Sequence, residues 1–365
     1  MPNPVRILVV DDSVVIRQVL KAFLCQAPDI DVVGVAANGR IALQKLAIEQ
    51  VDMVLLDVEM PVMDGLETLR EIRSHYPAVK VVMFSGQSEA NAQATMEAMS
   101  LGATDYVSKP STLTKEGGGV EALKAKLLPV IKMICGGEQS TPEVVQPPPA
   151  LPSVRPREKT KRVERIDIVA IGASTGGPNA LADVVAHFGP DFPVPIVIVQ
   201  HMPPVFTRHF AERLDRISGL NFAEASGGEY LNPGHAWVAP GDFHMVLKNS
   251  DGQVMLTTNK ASKENSCRPA VDPLMRSVAE IYGPHALAVI LTGMGSDGCL
   301  GCGTIDEHGG RVLAQDEQSS VVWGMPGYVA RAGLAEAVLP LDRIGPTIIQ
   351  WVEKSRALKA DGGRR

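Results

Sequence analysis

Ile166-Asp167-Ile168-Val169-Ala170-Ile171-Gly172-Ala173-Ser174-Thr175-Gly176-Gly177-Pro178 decides how the second half of this chain folds. Residues 166–171 are an apolar run of strand length, residues 172–177 are small, and a helical pattern follows over 180–188. Such a strand, tight turn and helix form the first unit of a parallel α/β sheet. Glycines at the turn let a bound group come close to the backbone. Pro178 suits a first helical turn, where its missing N–H costs nothing. The unpaired N–H groups of that turn can hold an oxyanion or a phosphate. Ser174 would stand at the strand end with its hydroxyl exposed, a nucleophile beside a charge stabiliser. A phosphate-binding turn of a nucleotide fold is the competing reading of this stretch alone.

Working outward, further strand-like runs lie at 195–200, 236–239, 244–248, 254–257 and 286–291. Helical patterns lie at 205–218, 271–282 and 344–354. Asn249-Ser250-Asp251-Gly252 marks a turn, so 244–257 is expected to be an antiparallel hairpin beside a mostly parallel sheet. A serine hydroxyl is a weak nucleophile and needs a base, which in turn needs an orienting acid. Gln200-His201-Met202-Pro203-Pro204 follows one strand and Leu291-Thr292-Gly293-Met294-Gly295-Ser296-Asp297-Gly298 follows another. Ser174, His201 and Asp297 thus all fall beyond strand carboxyl ends and can meet over one sheet edge. Backbone N–H groups at Thr175 or near Met294 are the expected oxyanion donors. Taken singly, His201 reads as one of eight histidines and Asp297 as the cap of the helix beginning near it. Their shared placement favours a hydrolase over a non-catalytic anion-binding module.

The first segment alternates strand and helix more regularly. Strands are expected at 5–10, 31–36, 51–56, 79–84 and 105–107, with helices at 13–26, 39–49, 65–74 and 120–134. This rhythm implies a parallel sheet covered on both faces. Asp11 and Asp12 follow the first strand, Asp57 the third, Ser85 the fourth and Lys109-Pro110 the fifth. In a doubly wound sheet these ends share the carboxyl edge, where ligands bind. Three gathered carboxylates repel unless a hard cation such as Mg2+ neutralises them. Such a site suits attack of Asp57 on a phosphoryl group, with Lys109 holding its oxygens and Ser85 bonding the product. Each acid alone would read as a solvated loop residue.

Between the two segments, residues 136–163 carry Pro142, Pro147-Pro148-Pro149, Pro152 and Pro156, a composition of linkers rather than of packed elements. Their basic run, Arg155, Arg157, Lys159, Lys161 and Arg162, reads as a solvated segment. The 365 residues suit two domains, here placed at 1–135 and 164–357, with a tail at 358–365. A net charge of -6 argues against a nucleic-acid surface, and no apolar run is long enough to span a bilayer. Met1-Pro2-Asn3-Pro4-Val5-Arg6 does not read as a signal peptide, and five scattered cysteines suit a reducing cytoplasm. Cys299-Leu300-Gly301-Cys302 has the spacing of half a zinc site but no second pair, and reads as buried small residues.

Two resemblances follow from these residues. Asp11-Asp12, Asp57, Ser85-Gly86, Tyr106 and Lys109-Pro110 resemble the receiver domain of two-component response regulators over about residues 1–130. The resemblance implies a flavodoxin-like fold and an aspartyl phosphate on Asp57 supplied by a chemotaxis histidine kinase. It also implies Mg2+ held by Asp11, Asp12, Asp57 and the backbone carbonyl of Glu59, and a switch through Ser85 and Tyr106. From about residue 166 to 355, Gly172–Pro178, Gln200-His201-Met202-Pro203, Cys267-Arg268-Pro269-Ala270-Val271-Asp272 and the 291–298 stretch resemble chemotaxis receptor protein-glutamate methylesterases. Here the resemblance implies a cytoplasmic enzyme without a cofactor in its esterase domain. It would hydrolyse glutamyl methyl esters, and deamidate glutamines, on membrane-associated methyl-accepting chemotaxis receptors. The expected class is α/β, with two doubly wound domains, the second a Ser-His-Asp hydrolase. The unphosphorylated receiver is expected to restrain the esterase.

Overall fold

The computed structural model describes residues 4–110, 119–135 and 165–362. The expected linker at 136–163, its basic run and the last three residues of the expected tail at 358–365 lie outside these residues, the earlier part of that tail being helical. The chain separates into two compact units, Met1–Thr141 and Pro142–Arg365.

In the first unit the order is β1 (Val5–Val10), α1 (Val14–Leu24), β2 (Ile30–Ala36), α2 (Gly39–Leu46), β3 (Met53–Asp57), α3 (Gly65–His75), β4 (Lys80–Ser85), α4 (Glu89–Ser100), β5 (Asp105–Ser108) and α5 (Gly119–Cys135). Four helices start at side-chain caps, where Ser13, Asn38, Asp64 and Ser88 accept from first-turn amides. Asp64 forms a reciprocal capping box with Glu67. All five strands are parallel, in the order β2-β1-β3-β4-β5. The strand order reverses between β1 and β3, so the crevice opens between Asp11 and Asp57. Every residue of β3 is buried, the pattern of a strand covered on both faces.

The second unit runs β6 (Ile168–Ala173), α6 (Gly177–Val185), β7 (Ile196–Gln200), α7 (Phe206–Ile217), β8 (Asn221–Glu224), β9 (His235–Val238), β10 (His244–Ser250), β11 (Gln253–Asn259), α8 (Val271–Tyr282), β12 (Ala286–Ile290), α9 (Cys299–Glu307), β13 (Arg311–Gln315), α10 (Met325–Arg331), β14 (Ala337–Leu339) and α11 (Leu341–Gly362). Its main sheet is parallel, in the order β14-β13-β12-β6-β7-β9-β8. The chain moves one way from β6 to β7 and later returns to the other side at β12, so the switch point lies at β6. As expected, 244–257 forms an antiparallel hairpin, but as a separate two-stranded sheet. Asp251 and Gly252 turn it at φ 51° and 82°, the geometry of a primed hairpin turn. Leu247 N donates to Ser277 Oγ at 3.0 Å, tying the hairpin to α8.

Several expectations needed correction. The strand through Ser174's turn is Ile168–Ala173, two residues later than read, so Ser174 is the first residue beyond it. The strands β8, β13 and β14 and the helix α10 were not anticipated, and α9 was expected only as the helix beginning near Asp297. Cys299 and Cys302 are buried free thiols on α9, as the sequence indicated.

Candidate active site

In the first unit, Asp11, Asp12 and Asp57 bring carboxylate oxygens within 4.8 Å of one another. Lys109 Nζ lies 2.8 Å from Asp11 Oδ2 and 2.7 Å from Asp57 Oδ2. Asp11 Oδ2 is buried and accepts no well-aligned hydrogen bond, so it keeps capacity for a ligand. Burial pushes the Asp57 carboxyl from 3.8 up to about 6, although Lys109 pulls it down. Hard oxygen donors that are costly to ionise without a counter-charge fit a divalent cation. The Glu59 side chain is exposed and lies outside this group, in keeping with a role for its backbone alone.

Ser85 is buried at the end of β4, and its hydroxyl is occupied locally. It accepts from Thr95 Oγ1 at 2.7 Å and lies 3.2 Å from Gly86 O and 3.3 Å from Asn91 O. Reaching a group on Asp57 would require these bonds to break. Tyr106 sits on β5, where burial and Asp105 push its phenol well above the usual value. Val62, in the turn after Asp57, has φ 72°, which a β-branched residue rarely adopts.

The second site is built by register. Ala173 pairs with Gln200 across β6 and β7, so Ser174 and His201 each leave the sheet one residue later and side by side. His201 N donates to Ala173 O at 3.2 Å. On the other flank Ile290 pairs with Gly172, and Ser174 N donates to Thr292 O at 3.0 Å. The Ser174 carbonyl accepts from Gly177 N at 2.7 Å and Gln200 Nε2 at 2.9 Å. Arg213, buried on α7, donates to Pro178 O at 3.3 Å and Asn179 Oδ1 at 3.0 Å, fixing the first turn of α6. An added Cβ at Gly293 would lie 2.9 Å from Ser174 Cβ, which only glycine avoids.

His201 Nε2 donates to Asp297 Oδ2 at 2.7 Å. That leaves Nδ1 as the basic nitrogen, and the Cys267 thiol lies 3.6 Å from it. No hydrogen bond joins Ser174 and His201 among the described residues. Asp297 also accepts from Val271 N at 2.7 Å, Asp272 N at 3.1 Å, Gly298 N at 3.0 Å and Asn265 Nδ2 at 2.9 Å. The capping reading of Asp297 was therefore right in kind, but the helix it serves is α8. Burial raises the Asp297 carboxyl, yet His201 and the helix amides outweigh it and hold it below its ordinary value. Burial lowers the His201 imidazole, while bonding to Asp297 and Cys267 overrides this and leaves it raised. Two expected oxyanion positions, the Thr175 and Met294 amides, donate to no acceptor among the described residues. Val205, the N-cap of α7 four residues after His201, has φ 74°, another β-branched residue in a strained conformation.

Asn265 and the carboxyl of Asp272 escaped sequence reasoning. The stretch 267–272 stood out, but an exposed asparagine two residues before it carried no signal.

A model of the family described as CheB methylesterase matches residues 169–348. One described as response regulator receiver domain matches residues 7–115. A protein-glutamate methylesterase/protein-glutamine glutaminase of Trichodesmium erythraeum is 46% identical over 348 residues, covering 95% of this chain and 99% of the relative. One from Nocardioides is 46% identical over 360 residues, covering 98% and 97%. The crystal structure of the Thermotoga maritima CheB methylesterase catalytic domain aligns with a TM-score of 0.50 at 46% identity, covering 51% of this chain and 98% of that one.

Proposed function

The chain belongs to the CheB methylesterase family, with a response regulator receiver domain ahead of the esterase, and from that premise we propose which residues do its work. The reaction is hydrolysis of glutamyl methyl esters, and of glutamine amides, on methyl-accepting chemotaxis receptors. His201 Nδ1 takes the Ser174 proton as the hydroxyl attacks the acyl carbon. Asp297 holds the imidazole by its other nitrogen and stabilises the imidazolium. The Thr175 and Met294 amides receive the oxyanion, and losing one such donor costs about 100- to 1000-fold in rate. The imidazolium returns its proton to the departing methanol, and water releases the glutamate. A side-chain amide presents the same carbonyl and follows the same course. In this structure the Cys267 thiol neighbours the nitrogen assigned as base, and attack requires Ser174 Oγ to approach it. Such bonds often tighten only when substrate is bound.

The one observation that carries the reading is the 2.7 Å bond between His201 and a buried, multiply bonded Asp297, one strand from Ser174. Ser174→Ala in the whole chain should abolish methanol release from methylated receptor membranes. Undiminished release would overturn the assignment. A fluorophosphonate probe should label Ser174 and require His201; absence of labelling would favour an anion-binding module instead.

Domain limits of 1–135 and 164–357, joined by a linker at 136–163 and followed by a tail at 358–365, accompany this proposal. Asp57 accepts a phosphoryl group from a chemotaxis histidine kinase. Asp11, Asp12, Asp57 and the Glu59 carbonyl would hold Mg2+, which when bound neutralises the phosphoryl oxygens together with Lys109. Ser85 and Tyr106 respond by reorienting. No helix among the described residues is long and apolar enough to cross a membrane. A cytoplasmic enzyme meeting receptors at the membrane surface is consistent with that. Phosphodonor should accelerate methanol release by the whole chain and leave an Asp57→Asn variant unchanged; equal acceleration of both would refute this role of Asp57.

A further inference from the structure

Glu264 and Cys267 close a tight turn, with Glu264 N donating to Cys267 O at 3.2 Å and Cys267 N to Glu264 O at 2.8 Å. Its two central residues, Asn265 and Ser266, take φ 50° and 63°, the geometry of a primed turn that asparagine tolerates well. Glu264 is anchored to α8 by Arg276 at 2.6 Å. The turn delivers two side chains to the dyad. Cys267 reaches His201, and Asn265 reaches behind Asp297. Asn265 Nδ2 donates 2.9 Å to Asp297 Oδ1 and 3.0 Å to Asp272 Oδ2. Asp272 is buried at the start of α8 and also accepts from Gly301 N at 2.7 Å. Two buried carboxyl groups thus share one amide.

We propose that Asn265 is a positioning residue for the esterase: its amide bridges Asp297 and Asp272, fixes the Asp297 oxygen facing His201, and makes the second buried carboxyl tolerable beside the first. This rests on the Ser174-His201-Asp297 reading. Geometry sets the division of labour. Asp297 Oδ1 is occupied by Asn265, Asp272 N and Gly298 N, so Oδ2 is left to His201 and Val271 N. Without the amide, Asp297 and Asp272 repel in a buried place with no hydrogen-bond donor bridging them, and a proton shared between them becomes favourable. Burial, with the Asp297 charge, already pushes the Asp272 carboxyl up to about 6.

Other charged or titratable groups around the pair do not substitute for Asn265. Arg276 feels both carboxylates through space, but its hydrogen bond goes to Glu264. His244 bonds Ala270 N and Ser262 O through its two ring nitrogens. Burial pushes the Cys299 and Cys302 thiols up, so they remain neutral. Cys267 faces the imidazole, not the carboxylates.

The test uses the whole chain and methanol release as a function of pH. Asn265→Gly keeps the positive φ and deletes the amide, and should lower kcat about tenfold with KM little changed, as expected for losing one charged hydrogen bond. Its acid limb should move to higher pH, because both the imidazole and the carboxyl pair then hold a proton more tightly. Asp272→Asn removes the repelling charge and should move the limb to lower pH. Limbs that stay put, or that move the same way in both variants, overturn the inference. If Asn265→Gly fails to fold, the direction in Asp272→Asn alone decides. Wild-type chain that releases no methanol would instead defeat the functional reading itself.

Discussion

Replacing Asp57 by asparagine should stabilise the first unit at neutral pH and leave it unchanged in acid. Asp57 is 4% exposed, and burial pushes its carboxyl from 3.8 up to about 6 against the pull of Lys109. The acid therefore holds its proton more tightly folded than unfolded. Between about pH 4 and 6 the folded chain carries the excess proton, so stability falls as pH rises through that window and stays low above it. Roughly two pKa units at about 1.36 kcal/mol each give a penalty near 3 kcal/mol. That figure already contains the attraction of Lys109, and burying the asparagine amide, a larger dipole than a protonated carboxyl, offsets part of the gain. A net stabilisation of about 1–2 kcal/mol remains, or about 5- to 30-fold in the opening equilibrium. Hydrogen exchange of the β3 amides reads this in the whole chain without requiring both units to unfold together. Exchange should slow about tenfold at neutral pH in Asp57→Asn and match wild type near pH 4. Added Mg2+ should slow exchange in the wild type and have less effect in the variant. Faster exchange at neutral pH, or a gain of equal size at both pH values, would refute the desolvation argument.

Other expectations follow from the second site. Because His201 must be neutral to accept a proton and its pKa is raised, methanol release should climb with pH on a limb centred above the ordinary histidine value of 6.5. A pH–rate profile centred below that value would contradict the Asp297 contact. Asp297→Asn should cost about 10³- to 10⁴-fold in kcat, read in the same assay. Gly293→Ala forces a methyl against Ser174 and should lower stability by about 1–3 kcal/mol along with activity, measured by thermal melting and methanol release. Ser85→Ala should leave the fold intact, since Thr95 keeps its 2.6 Å bond to Asn91 O, while slowing the response to phosphodonor; a normal response would remove Ser85 from the switch.

Both sheets were legible because their central strands are unbroken apolar runs followed by glycines and acids. Strand β3 is buried throughout, and β6 likewise, so each reads as a covered strand. The edge strands were not legible for the same physical reason inverted. Strand β8 has four residues and only Phe222 buried, and β14 has three residues with none fully buried. Little hydrophobic signal accompanies so little burial. Strand β13 carries Val312, Leu313 and Ala314 after Gly309-Gly310, a signal as strong as that of the strands expected. At the site, strand ends announced Ser174, His201 and Asp297. The supports from Asn265, Asp272, Gln200 and Thr292 come from a turn, a helix start, a strand end and a loop that meet only on folding. Which helix Asp297 serves could not be read either, because α8 precedes it by 26 residues in sequence at Val271.

The two units put acids at the same kind of address, the carboxyl edge beside a switch point, and treat them oppositely. Asp57 receives one backbone donor, Val58 N at 2.8 Å, and a lysine it shares with Asp11. Burial wins there, and the carboxyl is raised. Asp297 receives three backbone amides, an asparagine amide and an imidazole. Donors win there, and the carboxyl is lowered at comparable burial. The difference matches the chemistry proposed for each. An acid short of donors gains from a cation and keeps a lone pair available for a new covalent bond. An acid saturated with donors stays ionised and held in place, which suits the orienting role proposed for Asp297. Donor count, more than burial or position, separates the acid proposed to react from the acid proposed only to hold. Grafting further donors onto Asp57 should therefore weaken its cation binding, just as stripping one from Asp297 should loosen His201.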